Sequence, residues 1–566
     1  MRYFLFVLTV FLYGSLQAQQ ENGKWYFHSI INDSGDTVKN VSEGDVFILN
    51  PDSTFEYGLS AYELAAGGSW MWKGDTLVLS YIEPVDTQRY YVLRELSDRS
   101  FRFWESGVTY SFKRELDSAS PTTTDVQQGE FYDGGVSGVG ILRGLLGLIV
   151  LVAIAWIFSA NRRKVNWPLV AKGLTIQLIF AIAILKFSWI KKGFEWVSES
   201  FVTLLSFTTS GSEFLFGGLI NDTQTFGYIF AFQVLPTILF FSALTSLLFY
   251  YGILQKIVYG FAWVMRRTMR LSGAESLAAA GNIFLGQTEA PLLVKPYIEK
   301  MTRSEIMCLM SGGMATIAGG VLAAYIGFLG GESDADKVFF AKHLLAASVM
   351  SAPAAVVAAK ILVPETEKVN ANMEITKERI GKNALEAISN GTLQGLKLAV
   401  NVGAMLLVFI ALIAMVNYIL GDFLGQATGL NGWIASFTDG RYNSLSLEFI
   451  LGYSLAPITW LMGVPAEDMV LVGQLLGEKT ILNEFVAYVS LGDMKSAGMF
   501  TSHKSVIIAT YILCGFSNFA SIGIQIGGIG ALAPNRRGLL SELGIRALIG
   551  GTLASLFTAV IVGMLI

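Results

Sequence analysis

From Gly138 to Ile566 the chain is a succession of long apolar stretches, separated by loops that carry most of the charge. A bilayer core about 30 Å thick is crossed by a helix of about 20 apolar residues. The pattern therefore predicts a polytopic α-helical membrane protein embedded in a lipid bilayer. Spans are expected near 139–160, 167–187, 226–250, 306–328, 341–363, 396–420, 503–530 and 543–566, about eight in all. Composition agrees: 53% of residues are hydrophobic and 15% charged, against about 25% charged in a soluble domain. The net charge is −4 and no basic block stands out, which excludes a nucleic-acid binder. Cys308 and Cys514 both lie in apolar stretches, so neither a disulfide framework nor a thiolate metal cluster is expected. His28, His343 and His503 lie far apart in sequence, which argues against a histidine metal site.

The region ahead of the spans has a different character. Residues 1–18 read as a signal peptide: Arg2, a short apolar run FLFVLTVFLYG, and a small residue at Ala18. The alternative is a first membrane span. Residues 19–115 are polar and rich in Trp, Tyr and Thr, with short alternating runs such as DVFILN, TLVLSYIE and SFRFWES. Gly, Asn, Asp and Ser separate these runs, the pattern of a small antiparallel β-barrel or sandwich. The opening Gly23-Lys24-Trp25 resembles the start of lipocalin-like domains. Residues 116–137 are polar, bury little and read as a linker. The membrane domain then occupies 138–566.

Lysine and arginine set the orientation. Arg162, Arg163 and Lys164 follow the first span, Arg266, Arg267 and Arg270 the third, Lys360, Lys368, Lys377, Arg379 and Lys382 the fifth, and Arg536, Arg537 and Arg546 the seventh. Alternating spans put all of these on one side, the cytoplasm, and the acidic loop GGESDADK on the other. Lys191 and Lys192 are exceptions. The expected location is the cytoplasmic (inner) membrane, with the amino-terminal domain on the extracytoplasmic side, as a signal peptide requires.

Two apolar regions do not read as simple spans. Residues 273–300 contain Gly281, Gly286, Glu289 and Pro291; residues 446–491 contain Pro457, Gly463, Pro465, Gly477 and Glu484. Gly and Pro break each of them and a carboxylate sits inside. They are expected to be re-entrant hairpins, whose bared backbone is tolerated only inside protein or along a cavity. After each comes a span with a small, polar centre, GGMATIAG and then GFSNFAS, followed by another span. The two copies start on opposite sides of the membrane, the signature of an inverted-repeat secondary transporter with its site at the midplane. Transport repeats are placed at about 273–363 and 446–566, and scaffold at about 138–272 and 393–445.

A carboxylate at membrane depth costs on the order of 2.5–3.5 kcal/mol on the insertion scale, so Glu289 and Glu484 are candidate site residues. The alternative is a Glu that is protonated or paired with a neighbouring Lys, Lys479 in the case of Glu484. Gln287, Thr288, Asn518 and Ser521 supply uncharged donors and acceptors, suited to a neutral ligand with a heterocyclic ring and a diol. Taken singly, each serves equally well as a helix–helix hydrogen bond. Asn282 and Thr316 side-chain oxygens, with carbonyls bared at a helix break, suit a hard monovalent cation.

The segments GNIFLGQTEAPLLVKPY, GGMATIAGGVLAAYIGF, GVPAEDMVLVGQLLGEKTILNEFVAY and CGFSNFASIGIQIGGIGALAPNRR lie in that order between residues 281 and 537. Together they closely resemble the concentrative nucleoside transporter family, in its sodium-coupled type. The resemblance extends over roughly 138–566 and leaves the amino-terminal region outside. It implies a homotrimer whose protomers each import a nucleoside by sodium symport through elevator-type alternating access, without catalysis. It places Gly286, Gln287, Thr288 and Glu289 at the substrate, the last three facing the nucleobase partly through water, with Val321 nearby. Glu484, Asn518 and Ser521 are implied to hold the ribose hydroxyls, and Phe516 to line the pocket. The sodium ligands implied are the side chains of Asn282 and Thr316 with the carbonyls of Leu285 and Ile317. Proton coupling, a channel, an intramembrane enzyme, and a nutrient receptor using the amino-terminal domain are the competing readings. Asn282 and the intact GQTEAP run favour sodium over protons; no Ser-His-Asp, HExxH or paired-Asp arrangement supports an enzyme.

Overall fold

The computed structural model describes residues 23–113, apart from several short loops, and 137–566, apart from 222–228, 332, 370–380 and 439. The expected signal peptide and nearly all of the linker, like Lys377 and Arg379, lie outside the described residues. The chain divides into two compact units, Met1–Gln127 and Gln128–Ile566.

The first unit is all β: β1 (Gly23–Asn32), β2 (Thr37–Lys39), β3 (Val46–Leu49), β4 (Thr54–Leu59), β5 (Leu64–Lys73), β6 (Thr76–Glu83), β7 (Thr87–Leu96), β8 (Ser100–Glu105) and β9 (Val108–Lys113). β1 pairs with β3 through Gly23–Tyr26 and with β9 through Tyr26–Asn32. That double pairing closes an eight-stranded antiparallel barrel, and β2 adds a short strand beside Ile30 and Ile31. Closure removes the free edges that an open sheet would present. Alternate residues point inward, and Trp25, Phe47, Leu49, Phe55, Leu77, Leu79, Tyr91, Phe103 and Phe112 fill the interior. The Phe103 and Phe112 rings lie 5.0 Å apart and those of Phe47 and Phe112 5.2 Å.

The second unit is helical. α1 (Gly138–Ile157) and α2 (Trp167–Lys186) are followed by α3 (Ser188–Phe216), α4 (Leu235–Tyr250) and α5 (Ile253–Met269). The first hairpin is α6 (Gly273–Asn282), a tip at 283–289, and the short turns Ala290–Leu293 and Lys295–Ile298. α7 (Arg303–Ala315) and α8 (Gly319–Gly330) form one span broken at Thr316–Ala318, and α9 (Asp334–Leu362) returns. After α10 (Ala384–Tyr418) and α11 (Leu447–Leu461) the series repeats. α12 (Met469–Ile481) and α13 (Glu484–Ser496) form the second hairpin, α14 (His503–Leu513) and α15 (Phe519–Leu532) the second broken span, and α16 (Arg537–Leu565) the return. α9 and α16 are both 29 residues long. Three crossings separate the two hairpins, so the second repeat is inverted with respect to the first.

Among the described residues, seven helices are long and apolar enough to cross a membrane. The eighth expected span, 503–530, is the broken α14–α15, each half too short to qualify alone. Two expectations need correction. The region 446–491 is not one hairpin: α11 is a separate helix, and the turn at Gly463, whose φ is +103°, and Pro465 divides it from the hairpin at Met469–Ser496. Pro457 sits inside α11 rather than breaking a re-entrant arm. The sequence reading also passed over α3. This long helix carries Lys191, Lys192, Glu195, Glu199 and Glu213 and is not among the seven apolar helices, which explains why its lysines disobeyed the loop-charge pattern.

The repeats interlock. Gly515 has φ +101°, and a Cβ there would stand 2.6 Å from the Ala315 carbonyl carbon and oxygen, so the two helix breaks cross with no room for a side chain. Gln177 of α2 donates to the Met350 carbonyl in α9 at 3.1 Å and to Thr558 Oγ1 in α16 at 3.2 Å. At the ends, Arg303 pairs bidentately with Glu542 at 2.5 and 2.8 Å. Lys495 holds the Leu329 carbonyl at 2.9 Å and Asp336 at 2.6 Å.

Candidate substrate and ion site

The first hairpin folds tightly because its residues are small: a Cβ on Gly281 would come within 2.7 Å of Leu293 Cδ1 on the other arm. At the tip, the Gly286 N–H donates to Glu289 Oε2 at 3.0 Å, so this carboxylate caps its own turn. In the second hairpin, Asn483 caps α13 by accepting from the Val486 N–H at 3.0 Å, which leaves Glu484 as the first residue of that helix. Asn518 does the same for α15, accepting from the Ser521 N–H at 2.9 Å. Its other end donates to Glu484 Oε2 at 2.7 Å, and the Tyr325 hydroxyl donates to Glu484 Oε1 at 3.3 Å. The tip of the first hairpin reaches the same place: Gln287 Nε2 donates to Ser521 Oγ at 3.1 Å, and Gln525 donates to Gln287 Oε1 at 3.2 Å.

Gln287, Glu289, Asn483, Glu484, Asn518 and Ser521 line one cavity of about 210 Å³. All nine residues expected at the substrate line it: Gly286, Gln287, Thr288, Glu289, Val321, Glu484, Phe516, Asn518 and Ser521. Thr288 is exposed and Glu289 half-buried, whereas Glu484, Asn518 and Ser521 are buried. The starts of α8, α13 and α15 all face the cavity through Ala318, Glu484 and Asn518. Helix N-termini carry unpaired N–H groups and partial positive charge, so the wall favours electron-rich ligand atoms.

α10 supplies a wall that the sequence reading missed: Leu398, Asn401, Val402 and Met405, one helical face. Asn401 was legible in principle, as the lone polar side chain between Ala399 and Val416. The suggested Lys479–Glu484 pair does not form. Lys479 donates to the Ile512 carbonyl at 2.9 Å, the Cys514 carbonyl at 3.1 Å and Ser555 Oγ at 3.0 Å. Its ammonium thus reaches from α12 to the end of α14 and to α16.

Asn282, Leu285, Thr316 and Ile317 are all buried beside the first hairpin tip and the α7–α8 break. Among the described residues neither Asn282 Oδ1 nor Nδ2 has a hydrogen-bond partner, an arrangement that costs about 1–3 kcal/mol unless a ligand satisfies it. Gly312 gives the amide its space, since a Cβ there would stand 2.6 Å from Nδ2. Thr316 donates its hydroxyl to the Gly312 carbonyl at 2.9 Å, which turns its lone pairs outward. An orphaned amide oxygen beside a hydroxyl and a helix break fits a monovalent cation.

A twice-occurring unit of hairpin, broken span and return helix, closed around a cavity that carries the Glu484–Asn518 pair, defines a membrane transporter. Three family models match: Na+ dependent nucleoside transporter N-terminus over residues 146–219, nucleoside recognition (Gate) over 231–332, and Na+ dependent nucleoside transporter C-terminus over 343–563. An uncharacterized transporter of Haemophilus influenzae is 39% identical over 432 residues, 76% of this chain and 98% of that one. Solute carrier family 28 member 3 of Eptatretus stoutii is 42% identical over 74% of this chain and 60% of its own length. The structure of CNTnw in an inward-facing substrate-bound state superposes with a TM-score of 0.67 at 37% identity, over 75% of this chain and 99% of that one. The chain belongs to the sodium-dependent nucleoside transporter family, and sodium is its coupling ion.

Proposed function

We propose that this protein imports nucleosides by sodium symport, with the Glu484–Asn518 pair as the ribose site. The observation that carries this reading is the 2.7 Å bond between a buried carboxylate and a buried amide on the wall of the cavity. Bound together, the two offer adjacent acceptors and donors, the complement of a vicinal diol. Ser521 adds a hydroxyl on the same side. Gln287, Thr288 and Glu289 at the first tip meet the nucleobase, and Val321 and Phe516 pack against it. A nucleoside lacking a ribose hydroxyl leaves buried polar groups unpaired, which is a strong ground for rejection.

Sodium binds at Asn282, Thr316 and the Leu285 and Ile317 carbonyls. It orders the tip that carries Gln287 to Glu289, so coupling takes the form of raised nucleoside affinity. The repeats then move as a unit against a scaffold that includes α10 and the contacts of a homotrimer, an elevator-type exchange of access. The substrate leaves chemically unchanged. The barrel stands on the extracytoplasmic side of the inner membrane, behind a signal peptide, as an accessory to transport.

Labelled uridine and adenosine uptake into cells without nucleoside transporters of their own tests the reading. Uptake is expected in sodium and not in choline at fixed pH, with 3′-deoxyuridine a poor competitor. Equal uptake in sodium and choline would remove the sodium step; no uptake in either, with the protein in the membrane, would remove the substrate.

A further inference from the structure

Lys479 is fully buried at membrane depth, where an ammonium is costly. It forms no ion pair among the described residues; the salt bridges found there involve other cations. Its three N–H donors are instead all taken, by Ile512, Cys514 and Ser555. The Ile512 and Cys514 carbonyls stand where α14 stops, and the last carbonyls of a stopped helix lack intrahelical donors and carry partial negative charge. The ammonium thus does for this break what a bound cation would do.

The first repeat has the same need at the corresponding place. α7 stops at Ala315 as α14 stops at Leu513. Asn282 is the last residue of α6, and Lys479 lies two residues before the end of α12. Each comes from the last turn of its hairpin's first arm, and each lies against the last turn of the following half-helix. Asn282 brings an amide with no hydrogen-bond partner among the described residues; Lys479 brings its own charge.

We propose that the Lys479 ammonium is the tethered counterpart, in the second repeat, of the sodium ion bound in the first. This rests on the assignment of sodium to the Asn282 site. The second hairpin is thereby held to the α14 break whether or not sodium is present. Only the first hairpin is ion-dependent, and one sodium accompanies each nucleoside. Lys479 is a positioning residue: it acts through the Cys514 carbonyl on Phe516 and Asn518, two and four residues further on, and so on the Asn518–Glu484 bond.

The test uses the full-length protein in proteoliposomes, with sodium activation of labelled uridine uptake. In the wild type the activation curve has a Hill coefficient of about one. Lys479→Asn replaces the ammonium by an amide like that of Asn282. Its uridine KM at low sodium should rise about tenfold, high sodium should restore it, and the curve should steepen. Lys479→Met should show the same rise with no rescue by sodium. A loss in Lys479→Asn that sodium does not rescue would overturn the proposal.

Thermal unfolding of the purified protein gives a second readout that needs no transport. Sodium, compared with choline, should stabilise the wild type and the double variant Asn282→Leu/Lys479→Asn, but not Asn282→Leu alone. A double variant indifferent to sodium overturns the proposal, as does a Lys479→Asn protein recovered equally poorly in sodium and in choline. Wild-type sodium dependence in Asn282→Leu alone would instead refute the sodium-site assignment.

Discussion

Gln287 Nε2 donates to Ser521 Oγ over 3.1 Å, a bond between residues 234 positions apart. One stands at the tip of the first hairpin and the other in the first turn of α15. The bond joins the two repeats directly at the cavity, so the first hairpin tip and the Asn518 end of the site share one polar network. A change at the proposed sodium side of the hairpin therefore reaches the groups proposed to hold ribose without passing through solvent.

Glu484→Gln keeps the shape of the side chain and removes its charge. Asn518 Nδ2 and the Tyr325 hydroxyl then donate to a neutral amide in place of a carboxylate. Charge-assisted hydrogen bonds are worth about 1.5–3 kcal/mol each, so kcat/KM for uridine is expected to fall about a hundredfold. Initial-rate uptake at matched surface expression measures this. A fall of less than about threefold would take Glu484 out of the binding machinery.

Asn282→Leu fills the space beside Gly312 and removes the orphaned amide. Uptake should lose its dependence on sodium, and the residual rate in sodium should match that in choline. Asn282→Asp keeps an oxygen and adds a charge; it should retain sodium activation. The two variants are compared by uptake over a sodium range at constant ionic strength.

Gly515→Ala is expected to be severe although it adds one methyl group. The new Cβ meets the Ala315 carbonyl at 2.6 Å, and the position has φ +101°. Overpacking and backbone strain together cost about 2–6 kcal/mol. The melting temperature of the detergent-solubilised protein should drop, and a melting curve like that of the wild type would contradict the crossing of the two breaks.

Trp25→Ala empties the centre of the barrel, where this side chain is completely buried. Core Trp truncations cost about 3–5 kcal/mol, enough to unfold a small domain. Sodium-dependent uridine uptake should nevertheless persist, because the barrel has its own core and, among the described residues, those lining the cavity all belong to the helical unit. Loss of uptake in a variant still present in the membrane would give the barrel a part in the transport cycle.

Much of the site could be read from the sequence because carboxylates, amides and glycines are conspicuous inside apolar runs. Glu289 and Glu484 stood out for that reason, and so did Asn518 between Ser517 and Phe519. Lys479 is equally conspicuous, and the sequence offers Glu484 only as an alternative partner for it. Glu478 and Glu484 are the charges near it along the chain, whereas its hydrogen-bond partners include the carbonyls of Ile512 and Cys514, which sequence does not distinguish from any other backbone oxygen. α11 was merged into a hairpin because Gly463 and Pro465 signal a break without saying whether the chain turns back or begins a new element.

The order of spans, the two broken segments, the cavity-facing Gly286 to Glu289 run and the closed set of β-strands were determined by local chemistry: apolar length, helix-breaking residues, and alternation. The tertiary structure decided what those patterns cannot encode. It set which bared carbonyls meet Lys479, which face of α10 closes the cavity through Leu398, Asn401, Val402 and Met405, and how Gly515 lies on Ala315. Each of these joins residues far apart in the chain. Their contact depends on how whole helices pack, and packing is settled by the complementary shapes of many side chains at once rather than by the period of any one segment.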